Sequence, residues 1–306
     1  MVSKLLDCAF MILLLASAKK VNSQSTSIQT CEVSNYSDTE CIIRHVSEQV
    51  AQLATKIDGL QECQTPPNYQ VNLETDYALT NDSLPENCKD IFDLGFTVSG
   101  VYTIYESLST VKSSQFRTSF RRAINVYCDM EELFGGPGWI VFQRRQDSSV
   151  SFSRNWEEYA DGFGHLDGNL WLGNDNLALI TNGDTTYELR IELQDWDNER
   201  RYARYASFRI EDACTEYKLR LGSFTAGDAG NSLTYSNGYR FATPDNDYNG
   251  CAEQYSSGWW YESCSYSFLN NPYHNTSSPS SRGIVWRHWH GTSYALKYVE
   301  MKLRPV

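Results

Sequence analysis

No stretch of this 306-residue chain approaches the roughly 20 consecutive apolar residues that a helix needs to cross about 30 Å of hydrocarbon. The longest, CAFMILLLA at 8–16, is too short, so membrane insertion is not expected. A basic stripe is also missing: 26 Lys and Arg against 38 Asp and Glu give a net charge of -12 spread along the length. Nucleic acid and anionic membranes therefore have no electrostatic footprint to bind. The CxxC spacing of zinc sites is absent, and so are the GxSxG, HExxH and P-loop motifs. Gly162, Gly164 and Gly168 are spaced one residue too widely for a dinucleotide fingerprint. His288 and His290 alternate on an expected strand with no third ligand in sight, and read as surface or aromatic-packed imidazoles. An enzyme is not expected.

What is present begins with an address. Lys4 precedes the apolar run, and Ala16-Ser17-Ala18 or Val21-Asn22-Ser23 supplies small residues for a signal peptidase, so residues 1–23 read as a secretory signal. Cys8 leaves with it. Eight cysteines remain, at 31, 41, 63, 88, 128, 214, 251 and 264, an even number in an oxidising extracellular setting where disulfides are favoured. Asn35, Asn81 and Asn275 each begin an N-x-S/T glycosylation tripeptide.

Residues 24–40 are rich in Ser, Thr and Gln and read as a flexible segment. In residues 41–63, Ile43, Val46, Val50, Leu53, Ile57 and Leu60 recur at spacings of 3 and 4, a heptad seam that predicts a short coiled coil. A lone helix of this length is marginal in water, so self-association along the seam is expected, with Cys31, Cys41 and Cys63 as candidates for bridges between subunits. The alternative is an amphipathic helix folded onto the downstream domain. The e and g positions carry almost no charge, which leaves the strand number open. Pro66-Pro67 ends the helix, and residues 64–86 read as a linker.

From residue 87 onward the pattern is globular. The segment TYELRIELQ at 186–194 alternates without a break, placing Tyr187, Leu189, Ile191 and Leu193 on one sheet face. Shorter strands are expected at 138–143, 217–221 and 299–304. Ser153 is expected to cap one helical turn ending at Gly162, and Asn174 or Asp175 another ending at Asn182-Gly183. Residues 225–283, dense in Gly, Asn, Ser, Tyr and Asp, should form ordered loops rather than regular elements. The fold class is α+β, with an antiparallel sheet and a loop-rich C-terminal subdomain.

Several segments are more specific than this. NCKDIFDLGFTVSGVYTI (87–104), VYCDM (126–130), GGPGWIVFQRRQDSSVSFSRNWEEYADGFG (135–164), GNLWLGNDNLALIT (168–181) and CAEQYSSGWWYESC (251–264) occur in the order and spacing of fibrinogen C-terminal domains. The sequence resembles that family over about 88–305, and its build of signal, short coil and one globular domain resembles the secreted, oligomeric members, such as ficolins, tachylectins and angiopoietin-like or tenascin-type proteins. The resemblance implies disulfides Cys88–Cys128 and Cys251–Cys264. Cys214 falls outside the family pattern, and reads as a buried thiol or a partner of an N-terminal cysteine.

The resemblance also implies a calcium site, with Asp245 and Asp247 as carboxylate ligands and the carbonyls of Asn249 and Cys251 as further donors, for a hard cation that wants six to eight oxygens. The stretch between the acidic pair and Cys251 is compressed to Tyr248-Asn249-Gly250; counting back by the usual interval lands on Thr243. Lectin-type members hold an N-acetyl group nearby. Tyr255 matches their pattern, but Ser263 and Ser265 flank Cys264 where Asn and His are usual, and Ser281 lies in the stretch that usually carries an aromatic pair before Gly283-Ile284-Val285-Trp286. Trp259 and Trp260 are expected to pack beneath the loop. The implied ligand is carbohydrate on microbial or cell surfaces; the alternative is a cell-surface protein receptor.

Overall fold

The computed structural model describes residues 84–306 apart from 113–116, 132–134 and 278–281, and leaves aside the side chains of 107–112 and 117–120. The signal, the flexible segment, the coil, nearly all of the linker, and Cys31, Cys41, Cys63, Asn35, Asn81 and Ser281 lie outside the described residues.

The domain opens with a capped turn. Asn87 begins α1 (Cys88–Asp93) through a capping box: its Oδ1 accepts the N–H groups of Lys89 and Asp90 at 2.9 and 3.0 Å, and Asp90 Oδ2 accepts the Asn87 N–H at 3.2 Å. That turn buries Cys88, which is bonded to Cys128. An antiparallel sheet follows, in the order β1 (Gly100–Lys112), β2 (Arg117–Asp129), β3 (Trp139–Arg145), β13 (Tyr298–Pro305), β6 (Tyr187–Gln194), β7 (Arg200–Tyr205) and β10 (Phe224–Ala226). The short β4 (Phe163–Gly164) and β5 (Leu170–Trp171) join beside β3, while β8 (Phe208–Ile210) pairs with β9 (Leu219–Leu221), and β11 (Ser267–Phe268) with β12 (Val285–Trp286). The last strand in sequence thus lies in the centre of the sheet.

Alternation in β6 places Tyr187, Leu189, Ile191 and Leu193 in the core, as the sequence predicts. Its other face is covered too, by ion pairs. Lys302, 2% exposed, is 2.7 Å from Asp129 and within 3.6 Å of Glu192 and Glu300; Arg144 donates to Glu300 at 2.8 Å; Arg204 and Arg304 both pair with Glu188. Charges this deeply buried are tolerable only when paired.

Local details differ from the sequence reading where tertiary contacts intervene. The cap of α2 (Trp156–Asp161) is Asn155, not Ser153, because Asn155 and Glu158 form a reciprocal box. For α3 (Asn174–Thr181) the N-cap is Gly173, and Asp175 instead accepts a hydrogen bond from the Tyr217 hydroxyl at 2.5 Å. Tyr217 itself sits at φ 49°, so the strand begins only at Leu219. The loop-rich region contains an α-helical turn, α4 (Cys251–Tyr255), and a 3-10 turn at Thr234–Ser236. His288 and His290 lie on a short helix, α5 (Arg287–His290), rather than a strand, since pairing along β12 ends at Trp286. Gly162 closes α2 at φ 96°, where a Cβ would come 2.6 Å from the Leu172 carbonyl oxygen. Cys214 is exposed on a 3-10 turn, which excludes the buried thiol; the N-terminal cysteines of the alternative reading lie outside the described residues.

One buried carboxyl makes the sheet's outer edge sensitive to pH. Glu106 on β1 has a buried oxygen without a hydrogen-bond partner; desolvation, and next the Glu86 charge, push its pKa from 4.5 to about 8 despite Arg121. The folded protein therefore keeps a proton there that the unfolded chain loses. Its contribution to stability is fully present below about 4.5 and is lost as pH rises through about 8. Replacing Glu106 with Gln should raise the melting temperature increasingly across that window and by a constant amount above it. Parallel pH profiles for variant and wild type would contradict the burial of this charge.

Candidate functional site

The loop-rich subdomain is held to the sheet from below. Arg145, fully buried, donates to the carbonyls of Leu269 and Asn271 at 3.1 and 2.8 Å and lies 3.8 Å from the centre of the Phe152 ring; desolvation lowers its pKa to about 10. Gln143 donates to the Leu269 carbonyl at 3.0 Å. Above this anchor, Trp260 is surrounded by Trp171, Phe208, Phe241 and Trp259 at centroid distances of 5.1–6.1 Å, and its Nε1 donates to the Tyr217 carbonyl at 2.8 Å. Both tryptophans of the Trp-Trp pair are fully buried, as the sequence predicts.

On this floor sits the loop between α4 and β11. The Cys251–Cys264 disulfide is formed, with Cα atoms 5.5 Å apart, and the Ser263–Cys264 peptide is cis. Asp245 ties the loop to α2: its carboxylate accepts the Trp156 N–H at 2.9 Å and the Thr243 hydroxyl at 2.7 Å. Asp247 accepts the N–H groups of Asn249 and Gly250 at 3.1 and 3.0 Å on one oxygen and that of Glu253 at 2.9 Å on the other. Asn249 uses its side chain to bridge to the Glu262 carbonyl at 2.5 Å, while Cys251 opens α4, so its carbonyl is turned along the helix.

This donor set fits a calcium ion poorly. A cation would have to displace five N–H and O–H groups from the two carboxylates, and the compressed loop places the Cys251 carbonyl in a helix. Among the described residues there is no cluster of three or more His, Cys, Asp or Glu side chains able to hold a metal. Addition of millimolar calcium to chelator-treated protein should therefore leave the melting temperature unchanged. A site of ~0.1 mM affinity would instead add about 1.4 kcal/mol at tenfold excess, a shift calorimetry resolves. The same geometry makes Asp247→Ala destabilising by roughly 0.5–2 kcal/mol with or without the ion, as for other lost caps.

The residues expected to line a ligand pocket are only partly available. Tyr255 is half-buried, its ring 4.3 Å from that of Phe268. Ser265 is 9% exposed; its hydroxyl lies 3.2 Å from that of Ser236 and accepts the Ser267 N–H at 3.3 Å. Ser263 is exposed and gives its N–H to Glu262 at 3.0 Å. Asn275 is exposed beside the undescribed stretch. His288 and His290 do not converge: His288 Nδ1 lies 2.8 Å from Ser232 Oγ, and His290 pairs with Asp195 at 3.1 Å while stacking on Tyr294.

Sequence reasoning missed the aromatic cluster next to this loop. Tyr235 and Tyr266 stack with centroids 4.2 Å apart and planes 4° from parallel, and the Arg287 guanidinium lies 4.0 Å from the centre of the Tyr266 ring. Hydrogen bonds from the phenols of Tyr235 and Tyr239 and from Ser263 hold the Glu262 carboxyl below the usual carboxylate range, the Tyr235 bond being the largest cause. The one sequence signal was the density of Tyr in residues 225–283, which says nothing about which rings meet.

Residues 84–306 match the family described as fibrinogen beta and gamma chains, C-terminal globular domain. Ryncolin-4 of Cerberus rynchops is 41% identical over 233 residues, covering 74% of this chain and 63% of that protein; tenascin-R of Mus musculus is 37% identical over 268 residues, covering 82% of this chain and 18% of its own length. The match thus spans less than two thirds of each relative. Among solved structures, the fibrinogen-like globe domain of human ANGPTL2 superposes with a TM-score of 0.64 at 36% identity, covering 72% of this chain and 99% of that one. A lamprey fibrin D-dimer complexed with the peptide Gly-His-Arg-Pro-amide gives 0.61 at 28% identity, with 99% and 93% covered.

Proposed function

This protein belongs to the family of C-terminal globular domains found in fibrinogen beta and gamma chains, and from that premise we propose that it is a secreted, oligomeric recognition protein whose domain binds carbohydrate on microbial or cell surfaces. The observation that carries this reading is the face built around Cys251–Cys264: half-exposed tyrosines and polar side chains fixed on a rigid aromatic floor. Such a face suits sugars, which offer apolar C–H patches and hydroxyls together. The signal at 1–23, the seam at 41–63 and Cys31, Cys41 and Cys63 complete the reading: several weak sites on one stalk gain avidity by ~10²–10⁴ without any new contact. Asn35, Asn81 and Asn275 would carry glycans on that secreted form.

A second reading is favoured by one observation. Serines at 263 and 265, with Ser265 turned inward, remove the apolar walls an acetyl pocket needs, which suits a ligand that binds a protein receptor or matrix partner. A glycan array probed with the full-length protein separates the two. Binding competed by free monosaccharide supports the first; a blank array with cell-surface binding that survives deglycosylation supports the second.

A further inference from the structure

We propose that the sugar-binding surface of this domain is the Tyr235 platform, with Glu262 at its rim, and that it accepts a neutral pyranose rather than an acetylated or anionic sugar. The inference rests on the carbohydrate-binding reading and names its site. Tyr266 is sandwiched: Tyr235 covers one face at 4.2 Å and Arg287 lies 4.0 Å from its centroid, and two groups that close cannot share a face. The stack therefore ends at the outer face of Tyr235, a half-exposed residue on a 3-10 turn between buried Leu233 and Ser236. An aromatic face is the negative pole of the ring quadrupole, and the C–H face of a pyranose is apolar and weakly positive, so the two stack.

Stacking alone does not select a sugar, and the polar rim supplies the rest. Glu262 is half-exposed beside the exposed Ser263, and its carboxylate, ionised through neutral pH, can accept hydrogen bonds from two neighbouring hydroxyls. Arg287, exposed on the far side of Tyr266, backs the stack and faces away from the platform. A carboxylate or sulfate on the ligand would meet the Glu262 charge. An N-acetyl group would find no apolar cup, because Ser265 is buried against Ser236 and Tyr255 packs on Phe268. The platform is preorganised, since Tyr235 is stacked on Tyr266 and Tyr266 is backed by Arg287, so little side-chain freedom is lost on binding.

The test uses the full-length protein and the methyl pyranosides of glucose, galactose and mannose, with N-acetylglucosamine beside them, followed by saturation-transfer NMR and by competition for a glycan-coated surface. At least one methyl pyranoside should bind through its C–H protons, and Tyr235→Ala and Glu262→Gln should each weaken it about tenfold, near the upper end of one aromatic contact. Tyr235→Phe, which keeps the stack, should retain most of the affinity and guards against misfolding of the alanine variant. A larger loss in Tyr255→Ala than in Tyr235→Ala, or preference for N-acetylglucosamine, overturns this site while leaving the carbohydrate reading intact. Glycan-dependent surface binding without any pyranoside contact overturns it as well. If no glycan-dependent binding exists at all, the reading beneath it falls too.

Discussion

Replacing Trp260 with alanine should lower stability by roughly 3–5 kcal/mol, the usual range for emptying a buried aromatic site. In a domain of this size that corresponds to about 10 °C in melting temperature. The ring touches four aromatic neighbours and its Nε1 satisfies the Tyr217 carbonyl, so the change opens a cavity and strips a buried acceptor together. The neighbouring rings are held by their own anchors: Trp171 donates to the Tyr159 carbonyl at 3.1 Å, and Tyr159 to that of Phe152 at 2.7 Å. They cannot collapse far into the void. Trp260→Phe keeps much of the volume and should cost less. Thermal melts of the three proteins decide the matter. A variant that melts like wild type but no longer binds its ligand would make Trp260 a contact residue and not a floor.

The second large effect concerns the disulfides, which should separate stability from recognition. Closing 13 and 40 residues respectively, Cys251–Cys264 and Cys88–Cys128 restrict the unfolded chain by about 3 and 4 kcal/mol in the chain-entropy view. The longer bridge joins α1 to β2 at the far end of the sheet, whereas the shorter one fixes the loop that presents Glu262, Ser263 and Tyr266. Changing Cys88 and Cys128 to serine should therefore cost more stability and leave binding intact at low temperature. Changing Cys251 and Cys264 should cost less in urea melts yet remove most of the binding. Equal binding by the two double variants would contradict a rigid loop as the recognition surface.

Much of the framework could be read from residues alone. The unbroken alternation of 186–194 located β6 because one face packs on the apolar core and the other carries paired charges, which leaves a period of two. The segment 251–264 located the loop because its cysteines and tryptophans are too specific to recur by chance. Cap positions slipped by a residue or two, as at Asn155 and Gly173, where the deciding hydrogen bonds depend on how the backbone enters each helix. The acidic pair was harder. Asp245-x-Asp247 is equally suited to a cation and to backbone N–H groups, and what commits Asp245 is Trp156, 89 positions away. The Tyr235–Tyr266 stack is likewise a meeting of two loops, and no local pattern foretells it.

The central claim, that weak sugar sites on this domain become useful when several are carried on one stalk, is tested most directly by light scattering of the full-length protein, followed by its binding to a glycan-coated surface before and after the subunits are separated. A multi-subunit assembly whose surface binding weakens by ~10² or more on separation, while each domain still folds, is the expected result. A solitary subunit in solution that binds as tightly as before would contradict it.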